Sequence, residues 1–391
     1  MKILLVTNSL SGGAGKACTR LFKALEANGQ NVKLLYLDGA DVDNENIVPM
    51  YQSVRKLFLK QILNIPGYLF NKIYLGTLNT NYRSPNSYHS LEKHPLVNWA
   101  DVINLHWVPE FIDYNKFFKG LGKNVVWTLH DMLPFSGGYH YLLDSKQKNF
   151  NIESKIQKIK SKAIKNASLR IIAPSKWLTS ISQESKVFGE FGHRHIFNPI
   201  PLSIFKPLDK KFARKTLNLP EEGKIIVFSA DSINSVRKGM KILLSAFNLV
   251  DNKDLTLVSI GRGEVKEKLN QNYIHLGSLK DDYTISLLYS AADVSVVPSL
   301  EDNSPNTIIE SLACGCPVIG FNIGGIPELI VSDKMGVLVT ELTSKGLAKG
   351  IKESLNCAYF PEVITDFIKS ECNYKIVAER YLEEFNNFEN E

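Results

Sequence analysis

The chain has 391 residues, 44% hydrophobic and 22% charged, the balance of an ordinary soluble globular protein. That length is more than one core fills, so two domains are expected, and no apolar run approaches the length of a membrane span. The net charge of +6 is uneven: residues 1–200 carry 25 Lys+Arg against 14 Asp+Glu, while residues 201–391 carry 21 against 26. A basic first half suits an anionic partner. No helix-turn-helix, zinc or aromatic RNA-binding pattern accompanies it, so that partner is not nucleic acid.

Lys2–Thr7 reads as a first buried strand, too short and too soon interrupted for a signal-peptide core. The loop Asn8–Gly15 follows, with Gly12, Gly13 and Gly15, and then a helical pattern through Leu21, Ala24 and Leu25. Strand, glycine loop and helix is the layout in which backbone closely approaches a phosphate or sugar. A tight turn that needs small residues explains the same pattern. It is neither a Walker A loop nor the dinucleotide fingerprint. Val32–Leu37 is a second strand, and Asp41-Val42-Asp43 after it reads as a solvated loop before a metal-binding Asp-x-Asp. Residues 51–75 mix Leu57, Phe58 and Ile62 with Arg55, Lys56 and Lys60, as an amphipathic helix covering a sheet does. A membrane-surface segment is the alternative there.

Asp101–His106 and Asn124–Leu129 are further buried strands. The second leads into His130-Asp131 and the loop Gly137-Gly138, which places His130 where layered α/β sheets bind ligands. A buried, satisfied histidine is the second reading for His130 and the first for His106. Residues 146–165 carry seven lysines, among them Lys155, Lys158, Lys160, Lys162 and Lys165, with Ile152, Ile156, Ile159 and Ala163 at helical spacing opposite. That face is solvated, or attracted to anionic lipid headgroups. Leu169–Ala173 is a strand, and Asn198-Pro199-Ile200-Pro201 is the expected interdomain linker.

The pattern then restarts. Strand Ile225–Ser229 leads to Arg237-Lys238-Gly239, placed where a helix from Met240 to Val250 begins. Two cations oppose a helix N-terminus at a few tenths to about 1 kcal/mol each, and an anion between them would remove the conflict. Leu255–Ile260, Ile274–Gly277 and Val294–Val297 continue a second parallel sheet. The last stops at Pro298, and a polar loop leads to a helix with Ser304 as expected N-cap and Pro305 at its first position. Asp302 stands before that helix and Glu310 about two turns inside it, with Gly315 and Pro317 closing it. Paired carboxylates beside bare N–H groups suit a phosphate and a diol. The bland alternative is a capping Asp and a solvated Glu. The five cysteines, Cys18, Cys314, Cys316, Cys357 and Cys372, fit reduced thiols in a cytoplasm.

Asp302 and Glu310, eight apart and followed by Gly315-Cys316-Pro317-Val318, resemble the acid-x7-acid pattern of retaining glycosyltransferases of family 4. The resemblance implies that Glu310 holds a nucleotide ribose, and that Asp302 with the nearby Asn303, Ser304, Asn306 and Thr307 holds the donor sugar. It also implies that Lys238 and Arg237 grip the donor diphosphate, that Gly13 lies near the phosphates, that Leu279 meets the nucleobase and that His130 contacts the sugar. Asp302 is one methylene shorter than the family's usual Glu, and Pro305 has no N–H to give. Asn104-Leu105-His106-Trp107, Trp127–Asp131 with Gly137-Gly138, and Asp302-Asn303-x-Pro305-Asn306 resemble the subgroup that builds bacterial surface polysaccharides of the colanic-acid type. Gly324-Gly325-Ile326-Pro327-Glu328 resembles a further family loop.

The expected fold is therefore two doubly wound parallel-sheet α/β domains facing across a cleft, the GT-B architecture. Residues 1–198 bind an acceptor, with 374–391 packing back on them, and 199–373 bind a nucleotide-diphosphate sugar. The expected activity is metal-independent, retaining transfer of that sugar to a glycan or lipid-linked acceptor in bacterial polysaccharide biosynthesis. It needs no cofactor and takes place in the cytoplasm, peripherally on the inner membrane face. A nucleotide-sugar epimerase of the same fold and a non-catalytic sugar-nucleotide-binding protein are the alternatives.

Overall fold

Two sheets, each wholly parallel, organise the chain. The computed structural model describes residues 1–39, 42–51, 83–145, 150–265, 269 and 272–390. The helix expected over 51–75 lies outside these residues except for Tyr51, as does Asp41. The first unit is Met1–Phe197 with Val377–Glu391, and the second is Asn198–Ile376.

The first sheet holds β1 (Lys2–Ser9), β2 (Asn31–Asp38), β3 (Ile47–Pro49), β4 (Val102–Leu105), β5 (Asn124–Thr128), β6 (Leu169–Ala173) and β7 (Gly192–His195), in the order β3-β2-β1-β4-β5-β6-β7. Ile3, Leu4, Leu5 and Val6 are all fully buried, because a central parallel strand is covered on both faces. Around the sheet lie α1 (Gly12–Ala27), α2 (Pro95–Trp99), α3 (Tyr114–Phe118), α4 (Phe150–Ile164) and α5 (Lys176–Gln183). The core beneath α3 is aromatic: Phe117, Phe118, Trp127 and Phe188 pack together. β3 and β7 escape the sequence reading because they are edge strands. β3 ends in Pro49, and β7 reads Gly-His-Arg-His with no residue fully buried.

The second sheet holds β8 (Lys224–Ser232), β9 (Leu255–Arg262), β10 (Asn272–His275), β11 (Val294–Val297), β12 (Val318–Phe321) and β13 (Gly336–Val339), in the order β10-β9-β8-β11-β12-β13. Its helices are α6 (Lys210–Thr216), α7 (Met240–Val250), α8 (Asp282–Ala291), α9 (Asn306–Ala313), α10 (Ser344–Asn356) and α11 (Pro361–Glu371). The last helix, α12 (Tyr374–Asn386), runs into the first unit, where Tyr381 and Phe385 are buried and the Glu384 carboxylate accepts from Arg170 Nε at 3.0 Å. β12 and β13, four residues each, carry too little periodicity to separate them from loop by sequence.

Three local readings need correction. Helix α9 starts at Asn306, and Pro305 (φ −62°, ψ 115°), not Ser304, occupies its cap. The proline ring already fixes φ, and no side chain caps the helix; Ser304 Oγ is buried with no hydrogen-bond partner among the described residues. Gly13 belongs to the first turn of α1, not to a loop before it. Gly15 behind it is the glycine that close packing demands, since a Cβ there would strike the Ser9 and Leu10 backbone. On α4, Lys155, Lys158, Lys162 and Lys165 are exposed, but Lys160 is 2% exposed and is not part of that face. Its ammonium donates to Leu133 O (2.5 Å) and Ser136 O (3.1 Å) and lies 5.5 Å from the Tyr114 ring.

Candidate functional site

In the second sheet β8 and β11 are neighbours, yet the chain leaves β8 towards β9 and β11 towards β12. Loops at such a switch point diverge and leave a crevice at the C-terminal strand ends, where open α/β sheets bind ligands. The loop after β8 makes a turn of 3₁₀ helix, Val236–Lys238, ending at Gly239 in the left-handed region (φ 74°). Only glycine fits there: a Cβ would collide with Pro298 O. The loop after β11 is stitched to this turn. Leu300 N donates to Arg237 O (2.8 Å), and the Arg237 guanidinium donates to Glu301 O (2.7 Å).

These contacts bring Lys238 Nζ to 2.5 Å and Arg237 to 3.6 Å from the Asp302 carboxylate, which is buried. Burial pushes the Asp302 carboxyl up, but the Lys238 ammonium, the Arg237 guanidinium and the Lys238 hydrogen bond outweigh it and leave it below the ordinary range. The anion that relieves the two cations is thus part of the protein. A third loop completes the group: Gly325 N donates to Asp302 O (3.1 Å), and Gly324 (φ 61°) lies so close that a Cβ would strike the same carbonyl. Asn303 is buried beside it, Thr307 is half-buried, and Asn306 accepts from Asn198 Nδ2 at 3.0 Å. Glu310 is 4% exposed, which removes the reading of it as a solvated helix residue, and its charge helps to raise the Tyr289 phenol. Leu279 lies half-buried in the segment between β10 and α8.

The first sheet has its own switch point, between β1 and β4. His106 follows β4 and His130 follows β5. Their strands run parallel with Asn104 opposite Val126, so Asn104 and His106 share one face with Thr128 and His130. His106 Nδ1 lies 3.0 Å from His130 Nε2, and the rings stack with centroids 5.2 Å apart. Burial lowers His130 to about 4, with the Asp131 charge opposing it, and burial with the neighbouring imidazole holds His106 well below the usual imidazole range. Both rings are neutral at pH 7. Asp131 accepts from Trp107 Nε1 (3.0 Å), His140 Nδ1 (2.7 Å) and Leu133 N (2.9 Å). A small pocket is lined by His106, Trp107, Tyr114, His130, Asp131 and Lys160 among others. Asp131 and His140 were not singled out by sequence. The signal lay in the His-Asp pair after β5 and a second histidine nine residues beyond Asp131.

Residues 223–357, which include Arg237, Lys238, Asp302 and Glu310, match the family described as Glycosyl transferases group 1. The match lies within the second unit. An uncharacterized glycosyltransferase of Methanocaldococcus jannaschii is 26% identical over 178 residues, 43% of this chain and 44% of that protein. The D-inositol 3-phosphate glycosyltransferase 2 of Catenulispora acidiphila is 27% identical over 161 residues, 36% and 38% of the two chains. A Bacillus subtilis protein named as a candidate teichuronic acid biosynthesis glycosyltransferase is 26% identical over 213 residues, 54% and 52%. The chain thus spans about half, or less, of the length of these relatives. Solved structures match along nearly the whole chain. Sucrose-phosphate synthase from Thermosynechococcus elongatus matches with a TM-score of 0.66 and 18% identity, covering 99% of this chain and 98% of that one. Anabaena HepE in complex with UDP and glucose gives 0.67 and 18%, covering 98% and 99%. These likenesses establish the fold: two parallel-sheet α/β units of the GT-B type.

Proposed function

We propose that the chain is a retaining glycosyltransferase that moves a sugar from a nucleotide-diphosphate sugar to a glycan or lipid-linked acceptor in bacterial polysaccharide biosynthesis. The observation that carries this reading is the Lys238–Asp302–Arg237 group at the switch point of the second sheet, within the stretch that matches that family. Two cations against one carboxylate leave a net positive charge there, preorganised by three loops, and such a site stabilises a departing diphosphate electrostatically. The Lys238 ammonium has three N–H groups, so it can bridge Asp302 and a phosphoryl oxygen. Glu310 takes the ribose hydroxyls. Asp302 and its neighbours take the sugar, and His130 contacts the sugar from the first unit, which binds the acceptor.

No nucleophile is evident, so front-face displacement is the mechanism we favour. The bond from the anomeric carbon to the phosphate oxygen breaks, the acceptor oxygen bonds to that carbon on the same face, and the acceptor proton passes to the departing phosphate. Lys238 and Arg237 perform the charge neutralisation that other transferases give to a metal. HepE was solved with UDP-glucose, which makes UDP-glucose the first donor to try. The teichuronic acid biosynthesis for which the Bacillus subtilis relative is named favours a glycan acceptor, and the exposed lysines of α4 favour work beside anionic lipid in the cytoplasm.

The test is product analysis with UDP- and GDP-sugars, with and without saccharide or lipid-linked acceptors, reading anomeric configuration by NMR. An acceptor-dependent product with the donor's configuration is the expected result. Donor epimerised without acceptor identifies an epimerase, an inverted product overturns retention, and nucleotide binding without turnover leaves a binding protein.

A further inference from the structure

The loop through Gly137-Gly138 is held in place from outside itself. Its own bonds turn it tightly: Ser136 N donates to Met132 O (2.7 Å), and Ser136 Oγ donates to Tyr139 O (2.6 Å). Three of its carbonyls are served by other elements. Lys160 Nζ on α4 donates to Leu133 O (2.5 Å) and Ser136 O (3.1 Å), and the Tyr114 hydroxyl on α3 donates to Pro134 O (3.0 Å). Leu133, Pro134 and Ser136 are buried, and among the described residues nothing else donates to Leu133 O or Ser136 O. A buried carbonyl stripped of its donor keeps its desolvation cost, so without the ammonium the loop must lift from α4 to reach water. Gly137 fits the same arrangement, since a Cβ there would strike Glu153 Cα and Cβ on α4. The loop thus lies flat on that helix, with the Lys160 contacts on one side of the close approach and Gly138 (φ 109°) on the other.

The two ends of this loop grip Trp107. Asp131 opens it, His140 closes it, and Met132 N donates to His140 O (2.9 Å), which draws the ends together. Asp131 Oδ2 accepts from both Trp107 Nε1 (3.0 Å) and His140 Nδ1 (2.7 Å), and the Trp107 and His140 rings stack with centroids 5.8 Å apart. Asp131 is buried, whereas Trp107 and His140 are half-buried. Trp107 stands just beyond β4, at the switch point of the first sheet, and its carbonyl accepts from Asn8 N near the end of β1 (2.6 Å). We propose that Lys160 is a positioning residue for the acceptor: it latches the loop to α4, so that Asp131 and His140 keep the Trp107 indole in place as a surface on which an acceptor sugar ring stacks. An indole is apolar across its rings and polar at one N–H. Here that N–H is tied to a buried carboxylate, and the ring's apolar surface suits the C–H face of a sugar. The acceptor half of this inference rests on the reading of the first unit as acceptor-binding; the latch does not.

Tryptophan-selective ¹⁵N labelling of the full chain tests the latch apart from activity. Trp127 is the internal control: it is 1% exposed, and its Nε1 donates to His106 O (3.3 Å) without involving the loop. In Lys160→Met the Trp107 indole N–H should exchange with solvent about tenfold faster than in wild type, the worth of one hydrogen bond, while the Trp127 indole keeps its rate. Tyr114→Phe removes only the donor to Pro134 O, and this milder variant should act severalfold in the same direction. Unchanged exchange at Trp107 in both variants overturns the latch. Equal acceleration at both indoles overturns it too, because Lys160 then supports the fold at large and not this loop. With UDP-glucose and a panel of methyl glycosides as acceptors, Lys160→Met and Trp107→Leu should each raise the acceptor KM about tenfold at unchanged UDP affinity by calorimetry. An unchanged acceptor KM, or UDP binding weakened as much as acceptor use, overturns the stacking role. If no saccharide or lipid-linked acceptor is glycosylated while the exchange result holds, the proposed function fails and the latch stands.

Discussion

Asp302 and Glu310 are both buried carboxylates, but they differ in what holds them. Asp302 is paired to Lys238 and Arg237, whereas Glu310 sits inside α9 near the Tyr289 hydroxyl. Removing charge at Glu310 should weaken donor and free nucleotide diphosphate alike, because a ribose contact is made in ground and transition states. A hydrogen bond to a charged group contributes about 1.5–3 kcal/mol, so Glu310→Gln should cost roughly tenfold to a hundredfold in affinity. His130→Ala should lower turnover and leave nucleotide affinity nearly unchanged. Calorimetric titration of both variants with UDP decides it; equal weakening by the two reverses the assignment of sugar and ribose ends. The acid pair at its spacing was legible in the sequence. Its counterions were not, because the contact between Lys238 and Asp302 spans 64 positions and depends on Gly239 letting two loops touch.

At the scale of elements, α4 presents two different lysine populations. Lys160 is directed inward, and burial lowers its ammonium to about 7, with the Asp131 charge opposing. The unfolded chain, whose Lys titrates near 10.4, binds that proton more tightly than the folded one. Stability should therefore rise with pH from about 7 towards 10, and the penalty is fully present below 7. Denaturant unfolding of wild type and Lys160→Met at pH 7 and 9.5 checks this. The difference between them should shift in favour of wild type by up to about 1.4 kcal/mol per pH unit, and a constant difference rules it out. On the outer face, Lys155, Lys158 and Lys162 are exposed at helical spacing. Each lysine near an anionic surface contributes about 1 kcal/mol. Reversing the three to Glu should abolish sedimentation with phosphatidylserine-containing liposomes and leave nucleotide binding intact, whereas equal sedimentation leaves a merely solvated face. Helical periodicity separated the apolar from the basic positions of this helix. It placed Lys160 with the wrong group, because a long side chain can bend under its own helix to reach the Leu133 and Ser136 carbonyls.

For the molecule as a whole, the cation-rich turn Arg237-Lys238 lies inside the acidic half, and under the proposed function it would supply the positive charge that a donor diphosphate needs. With Lys238 and Arg237 in that role, activity should survive excess chelator and gain nothing from magnesium or manganese. Loss in chelator that manganese restores would assign the neutralisation to a metal. The sequence by itself determined the two-sheet α/β fold, since the central strands β1, β5, β8, β9 and β11 are apolar runs whose burial on both faces follows from composition alone. It also marked His130, Lys238, Asp302 and Glu310 by their places at strand ends and helix starts. Only the tertiary structure decided where the edge strands lie, that Pro305 caps α9, that Asp302 pairs with Lys238 and Arg237, and that His106 stacks on His130. Each of those depends on which neighbour a parallel register or a left-handed glycine brings within hydrogen-bond reach, and sequence spacing carries no record of that distance.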